Sequence, residues 1–202
     1  LGNDTIQFYP GKSYRHVMVY KGAQKMDARC FPPHDIMGQP IQKHLPKGNG
    51  SEILTDLMER SRAYLSNHDV NKVRIDLEEN PANMIWLWGQ GHRPKMPTFK
   101  ERFNLTGAVI TAVDLIKGIA CYLGWDIIHV PGATGYLDTN YANKGQYAIK
   151  AIETHDLVLI HIEAPDEAGH EGKVHEKVSA IEQVDSKIVG PILEAKNKFS
   201  DL

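Results

Sequence analysis

Three short apolar runs, Ala108-Val-Ile110, Ile127-Ile-His-Val130 and Leu157-Val-Leu-Ile-His161, are separated by stretches of helical length. This alternation limits the second half of the chain more than any other feature. Runs that stay apolar at successive positions have no wet face, so they belong in a parallel sheet covered by helices on both sides, an α/β arrangement. Helices are expected over 112–123 and 141–153, and from about 173 onward. In the last of these Val174, Val178, Ile181, Val184, Ile188 and Ile192 form one stripe. Gly190-Pro191 should kink or split that helix, because proline has no N–H to give and its ring crowds the preceding turn.

The first half reads differently. Tyr14 to Tyr20 alternates well enough for a strand, but Pro32, Pro33, Pro40 and Pro46 rule out a helix through the long stretch that follows. Ser51 is placed to cap a helix whose apolar positions Ile53, Leu54, Leu57, Met58 and Leu65 recur at helical spacing, ending near Asn67-His68. Met84-Ile-Trp-Leu-Trp88 reads as a short aromatic strand and Gly89 to Pro94 as a loop. The change of character near Gly107 divides the chain into 1–106 and 107–202. A length of 202 residues suits one sizeable core or two small ones.

Charge and cysteines narrow the classes. Twenty-three Lys plus Arg against 25 Asp plus Glu leaves a formal charge of -2, without the basic excess of a nucleic-acid binder. No run approaches the roughly 18 apolar residues of a membrane span. Cys30 and Cys121 stand far apart and outside any C-x-x-C pair, which favours a reducing compartment over a disulfide framework. A cytoplasmic protein without nucleic-acid or membrane partners is the expectation.

The sharpest local chemistry is Glu163-Ala-Pro-Asp-Glu-Ala-Gly-His170, where an apolar strand ends. Catalytic groups gather at the carboxyl ends of parallel strands. Asp166 and His170 are four positions apart, so one helical turn presents both on one side, and a carboxylate with an imidazole suits a divalent cation. The competing reading makes Asp166 a helix cap and His170 an exposed bystander. Val130-Pro-Gly-Ala-Thr-Gly135 could offer backbone N–H groups to a phosphate, although a plain turn accounts for it. Lys117, in helix 112–123, could reach a phosphoryl group or serve the helix dipole. Arg15, His34, Asp35, Asn71 and Arg74 lie in the irregular first half, where loops carry recognition, and arginine suits carboxylate and phosphate. His155 and His161 flank a strand and need only hydrogen-bond partners.

Pro33-His-Asp-Ile36, Asn83 to Gly91, Ala112 to Ile119, Val130 to Asn140 and Glu163 to His170 together resemble the archaeal-type 2,3-bisphosphoglycerate-independent phosphoglycerate mutases of the alkaline phosphatase superfamily. The resemblance spans roughly 12–195 and includes Lys177, Ala180-Ile-Glu182 and Asp185 after the last motif. It implies part of an alkaline-phosphatase-like parallel sheet with helices on both faces (107–202), plus an inserted α+β domain that closes over substrate (1–106). It also implies a small phosphorylated substrate, two divalent cations (Mn, Zn or Mg) and no bisphosphoglycerate cofactor. In such enzymes a serine takes the phosphoryl group of 3-phosphoglycerate and returns it to the 2-hydroxyl. Asp166 and His170 match the Asp-x-x-x-His that serves one metal.

The departure is one of omission. No Asp-Gly-x-Gly precedes the region, no Asp-His pair follows His170, and the nucleophilic serine is absent from this chain. A central fragment, inactive alone and prone to form homo-oligomers through an uncovered sheet, is therefore expected. The alternatives are another phosphotransferase of the superfamily, since related bacterial sequences carry homoserine kinase labels, or a non-catalytic ligand-binding or assembly domain.

Overall fold

In the computed structural model, which describes residues 1–11, 16–196 and 199, strands β1 (Ile6–Tyr9) and β2 (Val17–Tyr20) pair antiparallel, with Ile6 opposite Tyr20. Tyr14 and Arg15 lie outside the described residues. Short 3-10 turns at Pro33–Ile36 and Ile41–Lys43 occupy the proline-rich stretch, as the lack of N–H donors requires. Helix α1 (Ser51–Leu65) buries Leu54, Leu57 and Met58 on one face. Its N-cap is Gly50 at φ 84° rather than Ser51, a left-handed turn that glycine makes without strain.

Helix α2 (Asp69–Asp76) was not foreseen. It is short and leaves Val70, Val73 and Ile75 exposed, so no apolar burial marks it out. The His68 ring caps it, Nδ1 accepting from the Val70 N–H at 3.2 Å. The strand expected at Met84–Trp88 is absent. Among the described residues that segment has no partner strand and is held singly: the Ile85 N–H donates to Ser61 Oγ at 2.9 Å and the Trp86 indole donates to the Phe31 carbonyl at 2.7 Å.

The chain divides into two compact units, Leu1–Arg93 and Pro94–Leu202, so the division falls earlier than the expected 106/107. Helix α3 (Phe99–Phe103) opens the second unit behind a capping box between Thr98 and Glu101. Strand β3 (Gly107–Ile110) follows, all four residues buried, then α4 (Asp114–Leu123), β4 (Asp126–Ile127), α5 (Tyr141–Ala151) and β5 (Leu157–Ile160). The strands are parallel in the order β4-β3-β5. Thr106 and Asp156 set the register below β3 and β5. Thr106 gives both its N–H and its hydroxyl to Asp156 Oδ2 at 2.7 Å, and these bonds hold that carboxyl below its ordinary range.

The β3–α4–β4 connection steps one strand to one side, and the β4–α5–β5 connection steps back past β3 to the other. Parallel strands are joined by right-handed crossovers as a rule, and two such crossovers running in opposite directions put α4 and α5 on opposite faces of the sheet, the arrangement of the α/β reading. Two strand expectations need correction. β4 is Asp126–Ile127 rather than the expected four residues Ile127 to Val130, its last bond to β3 running from the Ile128 N–H to the Val109 carbonyl. β5 is an edge strand among the described residues and leaves Leu157 and Leu159 exposed, so it is not covered on both faces.

Beyond β5, α6 (Ala164–His170) and α7 (Val174–Val184) pack side by side. A π-helical turn, Asp185–Val189, then leads into α8 (Gly190–Ala195). The wide turn lies just ahead of Pro191 and relieves the missing N–H, so the helix is split there as expected. The apolar stripe divides too: Val184, Ile188 and Ile192 pack with Tyr141, Ala164, Ala180 and Ile160, while Val174, Val178 and Ile181 are exposed. Gly145 of α5 makes that packing possible, since a Cβ there would stand 2.5 Å from the Lys187 carbonyl oxygen.

Candidate active site

Helix α6 has two faces of different character. Ala164 and Ala168 are buried and small, so the helix lies tightly on its neighbours, and the positions between them turn outward. Asp166 and His170 are on that outer side, with Oδ2 and Nε2 3.3 Å apart and their side chains 68% and 76% exposed. Asp166 is not the helix cap: the N-cap position is Glu163 and no side chain caps the helix. The Asp166 carboxylate stands in the first turn, where the helix dipole favours it, and its partner is the imidazole.

Two donors each about 2.1 Å from a common cation lie about 3–4 Å apart, so the pair fits one divalent ion. It does not complete a site. Among the described residues no group of three or more His, Cys, Asp or Glu side chains is arranged to hold a metal.

The pair does not stand alone at that edge. β3 sends its connection to one side and β5 follows from the other, so the gap between their carboxyl ends is the place where open α/β sheets take ligands. Thr111 directly follows β3 and His161 directly follows β5, and the Thr111 hydroxyl meets His161 Nδ1 at 3.4 Å. His161 Nε2 lies 3.2 Å from Glu163 Oε2. Beneath them is Lys144 of α5, only 1% exposed, whose ammonium donates to the carbonyls of Thr134 and His161, both at 3.4 Å. Burial pushes the Lys144 pKa down.

Sequence reasoning took His161 as a histidine needing only partners and passed over Thr111, Glu163 and Lys144 as site residues. A signal for Lys144 existed: it shares the buried stripe Tyr141, Lys144, Gly145, Ala148, an apolar face that a lysine would not ordinarily join.

The loop Val130 to Asn140 is not a free phosphate cradle. The Ala133 N–H bonds the Val130 carbonyl, the Thr134 N–H bonds Thr139 Oγ1 and the Tyr136 N–H bonds Thr134 Oγ1. Tyr136 also donates to Glu171 at 2.6 Å, one residue past His170, with Lys173 donating to both. The loop is thus a brace beside α6. Lys117 stands one turn into α4, not at its end, and bonds Asp114 at 3.2 Å, so service to a C-terminal dipole does not explain it. A cavity of about 270 Å³ lined by Phe99, Thr106, Trp125 and His155 opens at the amino end of β3, away from this edge.

The first-unit candidates are dispersed. His34 and Asp35 are exposed neighbours 3.8 Å apart, His34 edge-on to Trp88. Arg74 donates Nε–H to the Asn80 carbonyl at 2.8 Å, and Glu79 lies 3.7 Å from its guanidinium. Asn71 is buried, and its amide is engaged by main chain: it donates to the carbonyls of Leu65 and Ala82 at 2.6 Å and accepts the Ala82 N–H at 2.9 Å. These bonds make it a strut. Arg15 lies outside the described residues.

Residues 33–202 match the sequence model of the metalloenzyme superfamily, 170 of the chain's 202 positions. The chain belongs to this superfamily. It is 52% identical over 194 residues to the 2,3-bisphosphoglycerate-independent phosphoglycerate mutase of Methanosarcina barkeri, and 54% identical over 195 residues to that of Methanothrix thermoacetophila. Each alignment takes 96% of this chain and 49% of the relative. The chain therefore spans about half the length of the curated relatives it matches.

Among solved structures, the cofactor-independent phosphoglycerate mutase of Thermoplasma acidophilum is similar with a TM-score of 0.57 at 25% identity, over 98% of this chain and 52% of that one. PH0037 of Pyrococcus horikoshii reaches 0.61 at 31% identity, over 71% and 38%. The parallel α/β sheet expected from the mutase resemblance is the fold these structures share with the chain.

Proposed function

We propose that this chain works as part of a metal-dependent, bisphosphoglycerate-independent phosphoglycerate mutase, interconverting 3-phosphoglycerate and 2-phosphoglycerate through a phosphoserine. The observation that carries the reading is the Asp166–His170 pair. It lies at the carboxyl edge of a parallel sheet, its donors 3.3 Å apart, in a chain more than half identical to proteins named as such mutases.

Asp166 and His170 would hold one of two divalent cations, and the nucleophilic serine and the remaining ligands come from polypeptide beyond these 202 residues. A bound cation there lowers the pKa of a hydroxyl nucleophile and neutralises phosphoryl charge. The chain's own part is to fix the two ligands rigidly. Ala164 and Ala168 seat α6, and the Tyr136–Glu171–Lys173 cluster ties down the end that carries His170. The first unit acts as the substrate-closing domain, with Arg15, His34, Asp35 and Arg74 meeting the carboxylate or phosphate and Lys117 assisting from the second unit. We place the enzyme in the cytoplasm.

The test is a chimaera in which this chain replaces the matching half of the Methanosarcina barkeri relative, assayed for conversion of 3-phosphoglycerate with added Mn²⁺. Turnover is expected from the chimaera and not from the 202-residue chain alone. A folded chimaera without turnover, or one whose turnover survives Asp166→Ala and His170→Ala, overturns the reading.

A further inference from the structure

Lys144 presents a physical anomaly. Its side chain is among the most completely buried in the protein, yet its ammonium touches no carboxylate among the described residues. Its two acceptors, the carbonyls of Thr134 and His161, both stand at 3.4 Å, beyond the 2.7–3.2 Å of a good N–H···O bond. An ammonium has three protons, so at least one is left without a partner among the described groups. Burying a cation in this way is costly, and an apolar chain of similar length would ordinarily serve the fold better.

The location gives the charge a task. The ammonium abuts the carbonyl of His161, the residue after β5, and so lies at the carboxyl end of that strand, where β5 adjoins β3. The Thr111 hydroxyl and the His161 imidazole meet there, with the Glu163 carboxylate on the far side of the imidazole. In surroundings of low dielectric, a fixed charge at a strand end attracts an anion more strongly than a surface lysine does, because water does not screen it.

We propose that Lys144 supplies the fixed positive charge of an anion subsite at the carboxyl ends of β3 and β5, and that the subsite takes a phosphoryl group, with the Thr111 hydroxyl and the His161 imidazole as its polar lining. The assignment rests on the mutase reading for the identity of the substrate, but not for the existence of the subsite. Lys144 acts from below through its charge, and nothing in the proposal requires it to transfer a proton.

The experiment uses the 202-residue chain itself and needs no turnover, so it stands apart from the chimaera assay. Inorganic phosphate, 3-phosphoglycerate and glycerate are titrated into wild type, Lys144→Met and Lys144→Arg. Binding is followed by chemical shifts of the Thr111 and His161 amides and by melting temperature.

Wild type is expected to bind phosphate and 3-phosphoglycerate but not glycerate. Lys144→Met should bind both phosphates at least tenfold more weakly while melting at the same or a higher temperature in phosphate-free buffer. Lys144→Arg should retain part of the binding. If Lys144→Met melts lower and binds phosphate as wild type does, Lys144 is a structural clamp and the proposal fails. It fails equally if wild type binds no phosphate, or binds glycerate as well as 3-phosphoglycerate. Inactivity of the chimaera alongside Lys144-dependent phosphate binding would overturn the mutase reading and leave the subsite standing.

Discussion

Asn71 and Ser61 in the first unit and Lys144 in the second are buried polar side chains held in opposite styles. In the first, Asn71 is 3% exposed and makes three bonds of 2.6 to 2.9 Å to main chain, while Ser61 is fully enclosed, donates at 2.6 Å and accepts at 2.9 Å. In the second, Lys144 is just as buried, but both of its contacts are long and it has no carboxylate partner among the described residues. A buried polar group whose bonds are all short has a structural task, since leaving its partners unpaired would be expensive. A buried charge with unspent hydrogen-bonding capacity is a cost to the fold. That cost is understandable at a site that meets an anion.

The comparison breaks most readily at its structural end. Asn71→Ala strands the carbonyls of Leu65 and Ala82 and the Ala82 N–H, and should lower the stability of the first unit by about 3 kcal/mol, given about 1–3 kcal/mol for each buried group left unpaired. Urea unfolding followed through Trp86 and Trp88 is the measurement, and a loss below about 1 kcal/mol would remove the strut. Gly145→Ala tests rigidity in the second unit. Its methyl group would meet the Lys187 carbonyl oxygen and the Ile188 Cα, so a loss of about 2 kcal/mol is expected, within the usual cost of overpacking. An unchanged urea midpoint would mean that α5 and the π-helical turn separate freely.

Tyr136→Phe is milder. It deletes the bond to Glu171 and should lower the melting temperature only slightly, because the cluster lies at the surface, where water screens its charges. If the brace positions His170, the same change in the active chimaera weakens metal binding roughly tenfold, as losses next to metal ligands commonly do. Equal metal affinity in the two proteins would reduce the brace to surface chemistry.

The smallest effect is a pH dependence. The His155 Nε2–H donates to the Asp126 carboxylate at 3.0 Å, and this bond holds the His155 pKa above the ordinary value for histidine. A raised folded-state pKa means stability that is fully present below the unfolded pKa of about 6.5 and is lost as pH rises through the folded one. Asp126→Asn should therefore lower the melting temperature at pH 5.5 more than at pH 9. Equal shifts at both values would show that the bond carries no charge.

Periodicity made the second unit legible. The alternation after Gly107 named the parallel sheet and its helices, and the four-residue spacing of Asp166 and His170 put both on one helix side. It did not reveal β5 as an open edge, since the burial of an edge depends on neighbours rather than on its own residues. The first unit was harder because proline-rich chain, α2 and the Met84–Trp88 segment are fixed by single bonds to distant groups such as Ser61 Oγ and the Phe31 carbonyl, which leave no period. Among site residues, Asn71 and Lys144 carried opposite meanings that only their bond lengths disclosed. Thr111 and His161 stand 50 positions apart and meet only because β3 and β5 are neighbours.

The central claim is that the carboxyl edge of the second unit's sheet holds a metal through Asp166 and His170. The most direct test is metal content and melting temperature measured together on the active chimaera and its Asp166→Asn and His170→Ala variants. The account predicts that each variant loses one bound divalent ion per chain while its melting temperature without added metal matches that of the parent. Full metal content with a lowered melting temperature would make the two residues a surface ion pair and contradict the account.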